Sequence, residues 1–284
     1  MRAWPSILYR RSHPNESTIL WDSGVFVFLA GLPILIALAL LDQTLINDEP
    51  RWIKPIKFFS SIAIYNLTLE WLFRVFRTEK NTNAFNRIRW IVGIGMLVET
   101  ALLLIQATRG VQSHFNIATP FDLAVFSAMG IIITLVVSSV LVSAYFIWKA
   151  RDQAPHIISE GVVLGIILMT FASFQGFTMT SPTPEQLEGM KVARPQLSGS
   201  HHVGIPPKED HATVPFAGWS LDVGDLRIPH FVGLHSLQIF LLFAIFAHSL
   251  RIPSGLLILR SIALGYGALF LYSLLRALGG QPFI

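Results

Sequence analysis

Apolar runs of about 20 residues, the length an α-helix needs to cross ~30 Å of hydrocarbon, recur along this chain and set its plan. Seven can be marked out: Gly24–Leu45, Lys54–Val75, Trp90–Thr108, Phe121–Trp148, His156–Met179, Pro229–His248 and Ser261–Leu278. The pattern predicts an all-α polytopic membrane bundle of about seven transmembrane helices. Residues 1–23 form an amino-terminal segment, 24–179 carry helices one to five, and 229–284 carry helices six and seven. Between them, residues 180–228 are rich in Pro, Gly and His and show no helical period, which predicts a long extracytoplasmic loop that is either functional or disordered.

Composition agrees with that plan and excludes several others. The chain is 52% hydrophobic and 13% charged, with a mean hydropathy of +0.57, whereas a soluble domain carries about twice that share of charge. The absence of cysteine excludes disulfides, thiolate metal sites, iron–sulfur clusters and a cysteine nucleophile. Met1 to Ser23 mixes Arg2, Arg10, Arg11, Asn15 and Glu16 and has no apolar core, so the first span reads as an uncleaved anchor. A net charge of +4 does not call for a nucleic-acid partner, because the basic residues sit at span ends where topology accounts for them.

Those basic residues also orient the chain. With a cytoplasmic amino terminus, twelve Lys and Arg lie on that side: Arg2, Arg10, Arg11, Arg74, Arg77, Lys80, Arg87, Arg89, Lys149, Arg151, Arg251 and Arg260. The other nine lie on the opposite side. The positive-inside bias therefore predicts an inner, plasma-membrane protein with a cytoplasmic amino terminus. The first, third and fifth connections then share the extracytoplasmic face, and these three hold the unusual chemistry.

Several polar groups stand out against the apolar spans. Lys54 and Lys57 open the second span at i, i+3 behind Trp52, either as interface anchors or as cations facing a vestibule. Glu99 lies about 13 Å into the third span, near the bilayer midplane, where an ionisable group marks a functional site. Gln106 follows two turns along the same face and Arg109 lies at the mouth. Structural glue between helices is the alternative role for Glu99. Thr119-Pro-Phe-Asp122 has the form of a capping box, and Glu70 pairs with Arg74 at i, i+4. Gly161 and Gly165 form a small-xxx-small motif for close helix packing. Asn15 and Asn66 match the glycosylation pattern, but Asn66 lies inside a span.

The stretch Asp225 to Gln238 brings ligand-grade side chains into the mouth of the sixth span. Pro229 suits a first helical position, so the helix is expected to begin at Ile228 or Pro229, with His230 in its first turn. His235 and Gln238 share a face, while His230 and His235 stand about 140° apart on a continuous helix. His114, His201, His202, His230 and His235 all fall on one face of the membrane, and imidazole suits copper, zinc, iron or haem. No recognised metal signature spaces them, and they read equally as loop residues and helix-bridging groups.

These positions support a histidine-rich polar site on the extracytoplasmic side, binding a metal or haem in a membrane oxidoreductase. In that reading His230 and His235 with His114 and one of His201 or His202 are ligands, Gln106 and Gln238 line the cofactor, and Glu99 is the proton donor or acceptor. Lys57 or Arg109 would anchor a small-molecule, quinone-like substrate. A proton-coupled or small-solute transporter built on Glu99 is the first alternative, and a sensory or assembly-partner protein the second.

Overall fold

The computed structural model describes residues 17–46, 49–192, 196–204, 212–215 and 217–284. Arg2, Arg10, Arg11, Asn15 and Glu16, named above, lie outside the described residues, as do Asn47, Asp48, Arg194, Lys208 and His211 of the connections between spans. Of the described residues 73% are helical, and the strands among them form two antiparallel pairs of two-residue strands. Six helical segments are long and apolar enough to cross a membrane. A seventh, Ile53–Val75, has the length at 23 residues but carries Lys54, Lys57, Glu70 and Arg74. The all-α polytopic bundle of about seven helices is therefore the architecture observed. It divides into two compact units, 1–154 and 155–284.

In the first unit, α1 (Ile19–Phe26) widens into a π-turn at Val27–Gly31 before continuing as α2 (Leu32–Leu41). Pro33 explains the widening: it has no N–H to offer the preceding turn, and its ring pushes that turn's carbonyl away. A hairpin of β1 (Leu45–Ile46) and β2 (Glu49–Pro50) leads to α3 (Ile53–Val75). Asp42 ties this connection down, accepting hydrogen bonds from Arg51 Nε at 2.6 Å and Trp52 Nε1 at 2.9 Å. Hydrogen bonds from Thr44 and then Trp52 hold the Asp42 carboxyl well below the usual carboxylate range. Helix α4 (Thr82–Thr108) packs on α3 through stacked Phe73 and Phe85, 4.7 Å between ring centroids. The capping box at Thr119 starts α5 (Pro120–Lys149): Asp122 N donates to Thr119 Oγ1 at 3.1 Å. Leu103 of α4 meets Val125 and Met129 of α5 in one apolar cluster.

The second unit is built on α6 (His156–Gln175), α8 (Arg227–Leu234), α9 (Ser236–Ser249) and α10 (Gly255–Leu278), with a short α7 (Pro184–Val192) in the long connection. The small-xxx-small motif does what its composition predicts. A methyl group on Gly165 would stand 2.6 Å from Leu237 Cα, and one on Gly161 would stand 3.1 Å from the Phe240 carbonyl oxygen. Hydrogen side chains at these positions let α6 and α9 approach backbone to backbone. Ser236 Oγ donates across that contact to the Gly165 carbonyl at 2.9 Å.

Three expectations need correction. The long connection is not without helix, because Thr183-Pro-Glu-Gln186 is a capping box that starts α7. Thr183 Oγ1 accepts from Gln186 N at 3.2 Å and Gln186 Oε1 accepts from Thr183 N at 3.0 Å. The helix carrying His230 begins at Arg227, earlier than Pro229 suggests, because Asp225 Oδ1 accepts the Arg227 N–H at 3.0 Å and satisfies an otherwise open donor. Finally, the sixth span is not one continuous helix but breaks at His235 between α8 and α9. The carbonyls near the break find donors, with Tyr266 Oη reaching Val232 O at 2.8 Å and the one Ser236 hydroxyl proton shared between Gly165 O and Gly233 O, the latter at 2.7 Å. An interruption is tolerated inside a membrane protein when freed backbone groups are satisfied this way.

Candidate functional site

Within the first unit, α4 carries buried polar residues along much of its length: Arg89, Glu99, Thr100 and Gln106. On a rise of about 1.5 Å per residue, Glu99 lies roughly 15 Å beyond Arg89 and roughly 10 Å before Gln106. It stands one turn from Gly95, which packs on Val136 and Ile132 of α5, and one turn from Leu103 in the α4–α5 cluster. Its side of α4 therefore faces α5. Glu99 is 5% exposed, and its Oε1 has no hydrogen-bond partner among the described residues. Unpaired buried carboxyl oxygens are rare because each costs free energy to desolvate.

Each end of α4 carries an ion-pair network, one facing α5 and the other facing α3. Toward the mouth, Asp122 accepts from Arg109 Nη1 at 2.5 Å and from Gln106 Nε2 at 2.9 Å, while Arg109 also donates to Gln106 Oε1. Gln106 and Arg109 thus meet, and Asp122, assigned in the sequence only to capping, joins them. Toward the other end, Glu70 accepts from Arg74 Nε at 2.6 Å, the predicted pair, and from Arg89 Nε at 2.8 Å. Arg89 is fully buried, lies over the Phe73 ring at 5.5 Å, and donates to Asn86 Oδ1 at 3.2 Å. Sequence reasoning treated Arg89 only as a topology signal. Its signal was positional: Glu70 precedes the end of α3 by about as many residues as Arg89 follows the start of α4, so the helical hairpin sets them opposite.

The remaining candidates of this unit sit near the mouth. Lys57 Nζ pairs with Glu49 Oε1 at 2.5 Å, half exposed. Lys54 Nζ lies 3.3 Å from His114 Nδ1, which is also 2.9 Å from Ser113 Oγ. Phe58 and Phe126 flank the His114 ring, at centroid distances of 5.8 and 6.5 Å.

In the second unit, the histidines take separate roles. His202 pairs through the backbone with Asp225 where β3 (His202–Val203) meets β4 (Gly224–Asp225), and its Nε2 lies 3.5 Å from Asp225 Oδ2. Arg227 Nη2 holds the same carboxylate at 2.6 Å, and Ser220 N donates to it at 2.9 Å. Burial raises the Asp225 carboxyl, but hydrogen bonds from His202 and Arg227 outweigh it and hold the group below the usual carboxylate range. His201 contributes its carbonyl to Leu226 N at 2.9 Å. His230 Nδ1 lies 2.8 Å from the Ala172 carbonyl, so that nitrogen carries the proton, and the ring rests against Gly176. His235 stands at the break with its ring 4.3 Å from that of Phe231. Gln238 keeps a buried Oε1 without a partner among the described residues, as does Gln175. No three His, Asp or Glu side chains among the described residues come together as a metal-binding group.

Compared with protein-family models, with curated proteins and with solved structures, the chain finds no match.

Proposed function

We propose that this integral membrane protein is a proton-coupled carrier of a small solute in the plasma membrane, with Glu99 as its proton site. The observation that carries this reading is the Glu99 carboxyl itself, buried in the span with an oxygen that no described residue satisfies. An uncompensated charge at that depth is costly, so proton occupancy of Glu99 is coupled to whether water, a cation or a solute reaches it. A carrier needs polar groups toward both ends of the span. Gln106, Arg109 and Asp122 support one side, and Glu70 with the buried Arg89 supports the other.

The second reading, a metal- or haem-dependent oxidoreductase, rests on His230. A histidine that donates Nδ1–H to a backbone carbonyl is oriented to present Nε2 as a ligand, and His230 has that arrangement with Ala172. Copper, iron, haem or zinc is the group such a ligand suits.

Both readings meet in one set of preparations. Wild type and Glu99→Gln are reconstituted into liposomes with an entrapped pH dye, and flux is followed under an imposed pH gradient. Dye-reported flux above protein-free vesicles, reduced to background by Glu99→Gln and partly kept by Glu99→Asp, is the expected result. Equal flux in wild type and Glu99→Gln sinks the carrier reading. Elemental analysis and an optical spectrum on the same protein, showing about one metal or haem per chain lost on His230→Ala, would move the assignment to the redox reading.

A further inference from the structure

In the second unit, where α9 ends and α10 begins, a groove of about 510 Å³ opens to the side. That volume lies within the roughly 300–1,000 Å³ of small-molecule sites. Two kinds of side chain line it: Ile157, Ala247, Ile252 and Leu256 are apolar, while His248 and Arg251 are polar or cationic. None of its lining residues is acidic. The nearest carboxylate on this end of α6, Glu160, is already neutralised by Arg260, with Nε at 2.5 Å and Nη2 at 3.0 Å. Arg251 is exposed and its guanidinium has no partner among the described residues.

The backbone here is unusual. Arg251 and Ser254 both adopt left-handed conformations, φ 51° and φ 57°, which residues other than glycine seldom take. The turn is held by Arg251 N to His248 O at 3.1 Å and Ile252 N to Ala247 O at 2.9 Å. The start of α10, a helix of 24 residues, adds its positive dipole end to the same place. An exposed arginine in a left-handed conformation and a helix start thus converge on one end of a groove with aliphatic walls.

We infer that this groove binds the phosphate of an anionic phospholipid, with Arg251 and His248 on the headgroup and Ile157, Ile252 and Leu256 against the first acyl carbons. The placement at the junction of two membrane spans favours a lipid over a soluble phosphate, because the apolar walls have no use for inorganic phosphate. Basic pockets between spans are the form such sites take. This inference lies beyond the proton site of the first unit and does not depend on it.

The test is native mass spectrometry of the full chain released from detergent containing equal phosphatidylglycerol and phosphatidylcholine. Wild type should retain phosphatidylglycerol preferentially. Arg251→Gln should lower that retention about fivefold, the effect of one basic contact, and Arg251→Lys should keep most of it. Arg276→Gln, at the far end of α10, should change nothing. Arg251→Gln is at an exposed position, and its unchanged melting temperature in the same detergent would show that the fold is intact. Equal retention of the two lipids, equal loss in Arg276→Gln, or displacement of the lipid by millimolar inorganic phosphate would each overturn the assignment.

Discussion

Asp225 shows how a single residue can organise a long connection. Its carboxylate holds Arg227 and Ser220 through their backbone amides, Arg227 again through its guanidinium, and lies against His202. Because its folded-state pKa is depressed, the stabilisation is complete above the unfolded value near 3.9 and is lost as pH falls below it toward the folded value. Wild-type melting temperature in detergent should therefore drop more steeply between about pH 5 and pH 3 than that of Asp225→Asn, which starts lower and lacks this component. Parallel curves would exclude Asp225 as the clasp. Arg89 makes the opposite point about legibility. It carries the same charge as Arg74, yet one is fully buried and the other partly exposed, a difference decided by the helix it faces rather than by its neighbours in the chain.

At the scale of elements, hydrophobic length placed the spans well, since it measures what the bilayer demands of any helix. It did not reveal the breaks inside them. The π-turn after Phe26 follows from Pro33, a local signal, but the interruption at His235 depends on Tyr266 arriving from α10 to satisfy the freed Val232 carbonyl. Glycine likewise divides into two kinds. Gly165 has Leu237 backbone where a methyl would go, whereas nothing lies within 4 Å of the same position on Gly267. Gly165→Ala should destabilise the protein by about 1–3 kcal/mol through overpacking, while Gly267→Ala should be neutral or stabilising by up to about 1 kcal/mol from helix propensity. Denaturant unfolding in detergent reads both, and equal effects would count against the close α6–α9 approach.

For the whole molecule, orientation is an expectation of charge bias, and two of its twelve inner cations, Arg74 and Arg89, are engaged with Glu70. The absence of cysteine makes the test direct. An impermeant maleimide should label Gln43→Cys, at an exposed position just after α2, in intact cells, and should label Asn83→Cys, exposed in the first turn of α4, only after permeabilisation. The reverse pattern would invert the orientation.

The amino-acid sequence by itself determined that the chain enters the membrane, roughly where each helix lies, that Thr119 caps a helix, and that Gly161 and Gly165 allow close packing. These depend on hydrophobic length, local hydrogen bonds and side-chain size, all of which act over a few residues. Tertiary structure alone decided which polar groups meet. Asp122 joined Gln106 and Arg109, Glu70 took the buried Arg89, and Glu99 was left without a partner for one carboxyl oxygen among the described residues. The energy of a charge in hydrocarbon is set by what stands within a few ångströms of it, and residues far apart in the chain supply those neighbours.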